Sequence, residues 1–190
     1  MLQDAAISST KRSLLDYIMV SKNVLTPQHC QRLIERFEAS AELEVCRRSA
    51  GHSFTQLEIT KAWPDEHPAL LSIFLEHFQT YKQLTKASYW PTNIAFEHLC
   101  VKRYLPNEQD FFAPHVDVVD QLSARRFITA FIYLNEPEGG ETVFPDLDLS
   151  ISPETGKLLA FPPLWLFPHE GRPPRLTAKY ILHMYLCYGS

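Results

Sequence analysis

Arg126-Phe127-Ile128-Thr129-Ala130-Phe131-Ile132-Tyr133-Leu134-Asn135 is the stretch on which the fold reading turns. Its β-branched and aromatic residues follow one another without helical spacing, which marks a strand. Similar runs lie on either side, at 94–104, 142–144, 157–161 and 179–188. Turn residues separate them, among them Glu138-Gly139-Gly140 and Pro153-Glu154-Thr155-Gly156. Many short strands at close spacing, with no helical pattern between them, predict an antiparallel sandwich or barrel rather than a parallel α/β sheet.

Upstream the pattern changes. Thr26-Pro27 followed by Cys30, Leu33, Ile34 and Phe37 combines an N-cap, a proline at the first helical position and an apolar stripe at helical spacing. A second helix is expected from about His67-Pro68, burying Leu71, Phe74 and Phe78. The predicted class is therefore α+β, mainly β: a jelly roll with N-terminal supporting helices. At 190 residues and 45% hydrophobic, the chain is expected to form a single domain, with helical support over about 1–92 and a β core over about 93–190.

A formal charge of −4 gives no basic footprint for nucleic acid, and no segment reaches the length of a membrane span. A small-molecule or peptidic partner is expected instead. Cys30, Cys46, Cys100 and Cys187 form no CxxC pair and are read as free thiols of a cytoplasmic protein. Asp16 interrupts the apolar residues between Leu14 and Val20, so no signal peptide is assigned.

The chemistry is concentrated in Pro114-His115-Val116-Asp117, an imidazole and a carboxylate two residues apart, whose side chains share a face in extended backbone. A second imidazole, His169, lies in Phe167-Pro168-His169-Glu170-Gly171, where another strand could bring it opposite. Two histidines and one carboxylate on one side of a metal suit a non-haem Fe(II) oxygenase. An HxD tripeptide alone is common, so its context has to carry the reading. Ten residues after His169, Lys179 opens the apolar strand Lys179-Tyr180-Ile181-Leu182-His183-Met184-Tyr185. Pointing inward, it would neutralise the far carboxylate of a dicarboxylate cosubstrate. His29, His67 and His77 have no partner at ligand spacing and are read as structural.

These motifs fall in the order of a known family. Arg103-Tyr104, His115-Val116-Asp117, Arg126, Thr129, Tyr133-Leu134-Asn135, Gly139-Gly140-Glu141-Thr142, Phe144-Pro145, Pro153, Gly156, Phe161, His169, Gly171 and Lys179-Tyr180 together resemble the prolyl 4-hydroxylase-like branch of the 2-oxoglutarate/Fe(II) dioxygenases. Ala178 departs from the pattern, which often has glycine there. The resemblance implies a double-stranded β-helix with Fe(II) held by His115, Asp117 and His169. It also implies that Lys179 pairs with the C5 carboxylate of 2-oxoglutarate, and that Tyr104 and Tyr133 donate hydrogen bonds around it. O2 would be the oxidant, ascorbate a supporting reductant, and the product a hydroxylated C–H position, since halogenating relatives lack the carboxylate at Asp117. A prolyl residue in a protein or peptide is the expected substrate, with a free amino acid or small metabolite as the alternative.

Thr129 and Tyr133 should share a face, and His183, four residues beyond Lys179, should share the lysine's face as a core histidine or as a contact to the cosubstrate. Segment 118–125 is the candidate substrate lid, with Trp165 and Arg126 at the entrance. A nucleic-acid dealkylase would share the triad but would use arginines and a basic groove. A zinc hydrolase would leave Lys179 and the Gly139–Phe144 motif unexplained, and a non-catalytic binding module would not need an intact triad and lysine.

Overall fold

In the computed structural model, which describes residues 12–48, 52–107 and 109–189, the strands are β1 (Met19–Ser21), β2 (Glu44–Arg48), β3 (His52–Glu58), β4 (Ile94–Tyr104), β5 (Phe112–His115), β6 (Arg126–Tyr133), β7 (Thr142–Phe144), β8 (Leu149–Ile151), β9 (Leu158–Phe161), β10 (His169–Gly171) and β11 (Lys179–Tyr188). The helices are α1 (Pro27–Glu38), α2 (Ile59–Ala62) and α3 (His67–Leu84). All strand pairs are antiparallel. They form a larger layer in the order β1-β9-β6-β11-β4-β3-β2 and a smaller one in the order β5-β10-β7-β8, joined where His52 pairs with Phe112. This is the jelly roll expected from the strand spacing.

Strict alternation along the central strands builds two cores. Ile128, Ala130 and Ile132 of β6, Leu182, Met184 and Leu186 of β11, and Leu158 and Ala160 of β9 face the helices. The intervening Phe131, Tyr133, Leu159, Phe161 and Ile181 face the interior of the roll. Both faces are covered, so these strands read as continuous apolar runs. The helices close the outer face with Cys30, Leu33 and Phe37 of α1 and with Leu70, Phe74, Phe78 and Tyr81 of α3. Each large apolar side chain buried there stabilises the fold by roughly 1.5–3 kcal/mol before entropy is counted. Thr26 caps α1 by accepting from the His29 N–H at 3.2 Å, with Pro27 as the first helical residue. On α3 it is Leu70, not Leu71, that is fully buried.

Residues 1–92 are not purely helical. β3 pairs with β4 over Thr55–Glu58 and belongs to the sheet, and β1 lies against β9. The reason the strand signal is weak is that Phe54 packs inside the roll while Leu57, three residues on, packs against the helices. Apolar residues on both faces of a short polar strand erase the period-2 pattern.

One irregularity matters for the site. On β11, His183 pairs with Cys100 of β4 but Tyr185 pairs with Glu97, so β4 carries one extra residue, where His98 adopts φ +59. The bulge reverses which residues of β4 face inward. Cys100, Lys102 and Tyr104 share the inner face after it, and Glu97 shares that face before it.

Candidate active site

His115 closes β5 and His169 opens β10, and the two are direct cross-strand partners. Their ring centroids are 4.3 Å apart. Asp117 lies just past the end of β5, where its N–H and that of Val118 both donate to the Pro163 carbonyl at 3.2 Å. That anchor turns the carboxylate back toward the imidazoles, with Oδ1 3.4 Å from His115 Nε2 and Oδ2 3.9 Å from His169 Nε2. One potential ligand atom from each of the three residues lies within 4.8 Å of the others.

Proton placement follows from the backbone. His115 Nδ1 lies 2.7 Å from the Ala113 carbonyl and His169 Nδ1 lies 3.1 Å from the Phe167 carbonyl. A carbonyl can only accept, so each Nδ1 carries a proton and each Nε2 is the atom turned toward Asp117. Burial pushes His169 down to about 4 against the opposing charge of Asp117, so the ring is neutral at physiological pH. Burial would raise the Asp117 carboxyl, but the hydrogen bond to His115 and the His169 and His115 charges overcome it and hold the group well below the usual carboxylate range. Two imidazoles with Nε2 turned inward and one carboxylate form a donor set that fits a divalent iron.

Lys179, 3% exposed, points into the same cavity from β11. Its Nζ donates to the Gly140 carbonyl at 2.8 Å and lies 5.1 Å from the Tyr104 ring centroid and 5.8 Å from that of Tyr133. Among the described residues it makes no ion pair, and burial pulls its pKa down to about 8 despite the charge of Glu141. A buried ammonium in this state is suited to an anionic guest. Gly140 makes room for it: φ is +74 and a Cβ there would stand 3.0 Å from Lys179 Cδ. Asn135 clamps the backbone on either side of the lysine, donating to the Ala178 carbonyl at 2.7 Å and accepting from the Tyr180 N–H at 2.9 Å. This bond uses the backbone of residue 178, so alanine serves there.

The two tyrosines differ. Tyr104 lines the cavity and is the register partner of Lys179. Tyr133 is fully buried behind it, its hydroxyl 2.7 Å from Thr142 Oγ1, and it is Thr142 that reaches the cavity wall. Burial pushes both phenols well above their ordinary pKa. His183 shares the lysine's face: Nε2 lies 3.1 Å from Thr129 Oγ1, and burial holds the ring neutral.

The cavity, about 480 Å³ with the solvent at its mouth included, opens past Lys102, Phe112, His115, Asp117 and Tyr185 into a larger cleft of about 2390 Å³ counted the same way. Segment 118–125 forms one wall of that cleft. It is a short turn tied internally, with the Asp120 carboxylate accepting from the Ser123 N–H at 2.8 Å and its hydroxyl at 2.6 Å, and with Val119 and Leu122 exposed. Arg126 also lines the cleft, whereas Trp165 stands in solvent and lines neither space. His29 pairs with Glu66 and His77 with the Ile73 carbonyl, both at 2.8 Å and outside either space, while His67 opens α3. The residues that sequence reading passed over are Lys102 and Glu97; for Lys102 the even spacing from Tyr104 was the available signal.

Comparison with known proteins adds the following. The family model described as the 2OG-Fe(II) oxygenase superfamily matches residues 99–187. No curated protein matches the chain. A viral collagen prolyl hydroxylase from Paramecium Bursaria Chlorella virus-1, solved with 2OG, is similar at 21% identity and TM-score 0.65, covering 92% of this chain and 97% of its own. A Pseudomonas putida prolyl-4-hydroxylase shares 17% identity at TM-score 0.65, covering 92% of this chain and 94% of its own. A prolyl hydroxylase from Trichoplax adhaerens, in complex with a hypoxia inducible factor peptide fragment, shares 16% identity at TM-score 0.73, covering 91% and 84%. At these identities the likeness is one of fold.

Proposed function

We propose that this chain, whose residues 99–187 match the 2OG-Fe(II) oxygenase superfamily, is a 2-oxoglutarate-dependent dioxygenase that hydroxylates an unactivated C–H bond of a prolyl residue in a protein or peptide, with Fe(II) held by His115, Asp117 and His169. The observation that carries the metal assignment is the cross-strand histidine pair, with both Nδ1 protons committed to backbone carbonyls and a carboxylate between the Nε2 atoms. Bound Fe(II) with 2-oxoglutarate supplies O2 activation coupled to decarboxylation, so that one oxygen atom enters the substrate and the other enters succinate.

The protein's own part is to bind, orient and exclude water. Lys179 neutralises the far carboxylate of 2-oxoglutarate, and Tyr104 lies beside it. Tyr133 acts one step removed, by fixing the Thr142 hydroxyl at the wall. Phe112, Phe131 and Ile181 line the remaining surface and keep the site dry. The peptide reading is supported by the likeness of fold to prolyl hydroxylases and by the large outer cleft into which the metal cavity opens. Purified protein with Fe(II), ascorbate and 2-oxoglutarate should release succinate and add one oxygen atom to a prolyl residue of a proteome fraction. Oxidised species confined to a metabolite fraction would overturn the peptide assignment in favour of a free amino acid or small metabolite.

A further inference from the structure

The inner cavity contains a polar atom that the fold leaves unsatisfied. His183 is 4% exposed, lines the cavity from β11 and places Nε2 3.1 Å from Thr129 Oγ1. Its Nδ1 is buried and, among the described residues, has no hydrogen-bond partner. The one other such atom among the described residues is Arg103 Nε, on the helix side of β4, where the same guanidinium is already held by Glu38. An unpaired buried polar group costs about 1–3 kcal/mol, so an orphan in a cavity wall is a place where a guest gains by supplying the missing partner.

The ring is fixed and its polarity can be set from one side. The Tyr185 ring meets it edge to face at 4.5 Å between centroids, and Phe131 stands 6.4 Å away. A neutral imidazole has one N–H and one lone pair. When the Thr129 hydroxyl donates to Nε2, the ring proton stands on Nδ1, and the orphan is a donor. His183 lies outside the group of three donors suited to the metal, which leaves this donor for a ligand other than the ion.

Position along β11 says which end of a guest it meets. Lys179 and His183 share a face four residues apart, about 13 Å of strand. The Asp117 carboxylate is among the charges acting on His183, whereas Glu141 is the one acting on Lys179. Tyr185, two residues further on, lines both the cavity and the outer cleft, while His183 lines the cavity alone. The lysine therefore serves the far end of the chamber and the histidine the metal end, inside the mouth.

We propose that Thr129 and His183 form a second anchor for 2-oxoglutarate, with Thr129 O–H donating to Nε2 and Nδ1–H donating to the carboxylate at the metal end of the molecule. This rests on the dioxygenase reading above and adds two residues to the same site. Lys179 and His183 hold the cosubstrate from its two ends, and Thr129 is a positioning residue that acts through the imidazole.

The test is calorimetric titration of 2-oxoglutarate into the Fe(II)-loaded full chain without O2, with bound iron measured beside it. His183→Leu should keep its iron and lose about tenfold to a hundredfold in 2-oxoglutarate affinity, the scale of one hydrogen bond to a charged group. Thr129→Val, which changes shape little, should lose affinity in the same direction. His183→Asn offers an amide N–H near the position of Nδ1 and should recover most of the loss, which a packing role would not allow. The charge-transfer absorbance of the Fe(II) and 2-oxoglutarate complex should shift in His183→Leu and return toward the parent position in His183→Asn. Unchanged affinity in His183→Leu and Thr129→Val, or His183→Asn as weak as His183→Leu, overturns the inference and leaves the dioxygenase reading standing. No 2-oxoglutarate binding by the unaltered, iron-loaded protein overturns that reading, and the inference with it.

Discussion

His115 and His169 stand opposite one another in the β5–β10 ladder, and each imidazole is held by a carbonyl two residues upstream in its own chain segment. Ring orientation is therefore set by backbone before any metal arrives. Removing a ligand should cost at least the roughly 10–100-fold in metal affinity that loss of an outer hydrogen-bond partner costs elsewhere. Asp117→Ala and His169→Ala are expected to lose Fe(II) in equilibrium dialysis and to release no succinate. Iron retention equal to that of the unaltered protein would place the metal elsewhere.

Lys179→Ala should leave metal binding intact and weaken 2-oxoglutarate binding. Losing one partner of a desolvated charge pair costs about 3–5 kcal/mol, or about 10²–10⁴-fold in dissociation constant. Calorimetric titration of the Fe(II)-loaded variant gives the answer, and an unchanged affinity would remove Lys179 from the cosubstrate site.

The same lysine predicts a pH dependence. Burial lowers its pKa to about 8 in the 2-oxoglutarate-free protein. Below that value the ammonium is present and binding is at full strength. Above it the free protein loses the proton that the dicarboxylate needs, so affinity should fall as pH rises past about 8, with proton uptake on binding. The folding consequence has the opposite trend: between about 8 and the ordinary value of 10.5 the unfolded chain binds more protons, so this group makes the 2-oxoglutarate-free protein more stable as pH rises. Titrations in buffers of different ionisation enthalpy measure the first effect and denaturant midpoints the second.

Asn135→Ala would strip the Ala178 carbonyl and the Tyr180 N–H of their partner. An unsatisfied buried polar group costs about 1–3 kcal/mol, and in a chain of this size each kcal/mol lowers the thermal midpoint by about 2–4 °C. Differential scanning calorimetry should show that loss, and 2-oxoglutarate affinity should fall because the lysine between the two clamped groups is no longer fixed. A variant as stable as the parent would mean that the ladder closes without Asn135.

The jelly roll was legible in the sequence because β6, β9 and β11 are buried on both faces and announce themselves as apolar runs. β3 was hidden by the same circumstance in a shorter, more polar strand, where Phe54 and Leu57 face opposite ways. Of the candidate site, His115, Asp117, His169, Lys179 and Tyr104 could be named in advance, and the fold brings all five to one cavity. Tyr133 was named beside Tyr104, but its hydroxyl meets Thr142 and the threonine lines the cavity; nothing in a strand pattern tells whether a phenol reaches a cavity or stops at a threonine in front of it. Glu97 was invisible for a geometric reason: which way it points relative to Tyr104 depends on a bulge that has no signature in residue type, whereas Lys102, on the Tyr104 side of that bulge, could have been read from its even spacing.

The extra residue at His98 acts as a phase shift in β4. Beyond it, the strand contributes to the chamber that holds the cosubstrate; before it, the same inward face supplies Glu97 to the cleft where a substrate would lie. A single strand thus serves two compartments with opposite odd–even bookkeeping. Changes to the outer half can retune what is accepted while the inner half keeps its register with Lys179. A one-residue deletion at the bulge would do the reverse, rotating Glu97 toward the helices and releasing Arg125 and Arg126 from the wall.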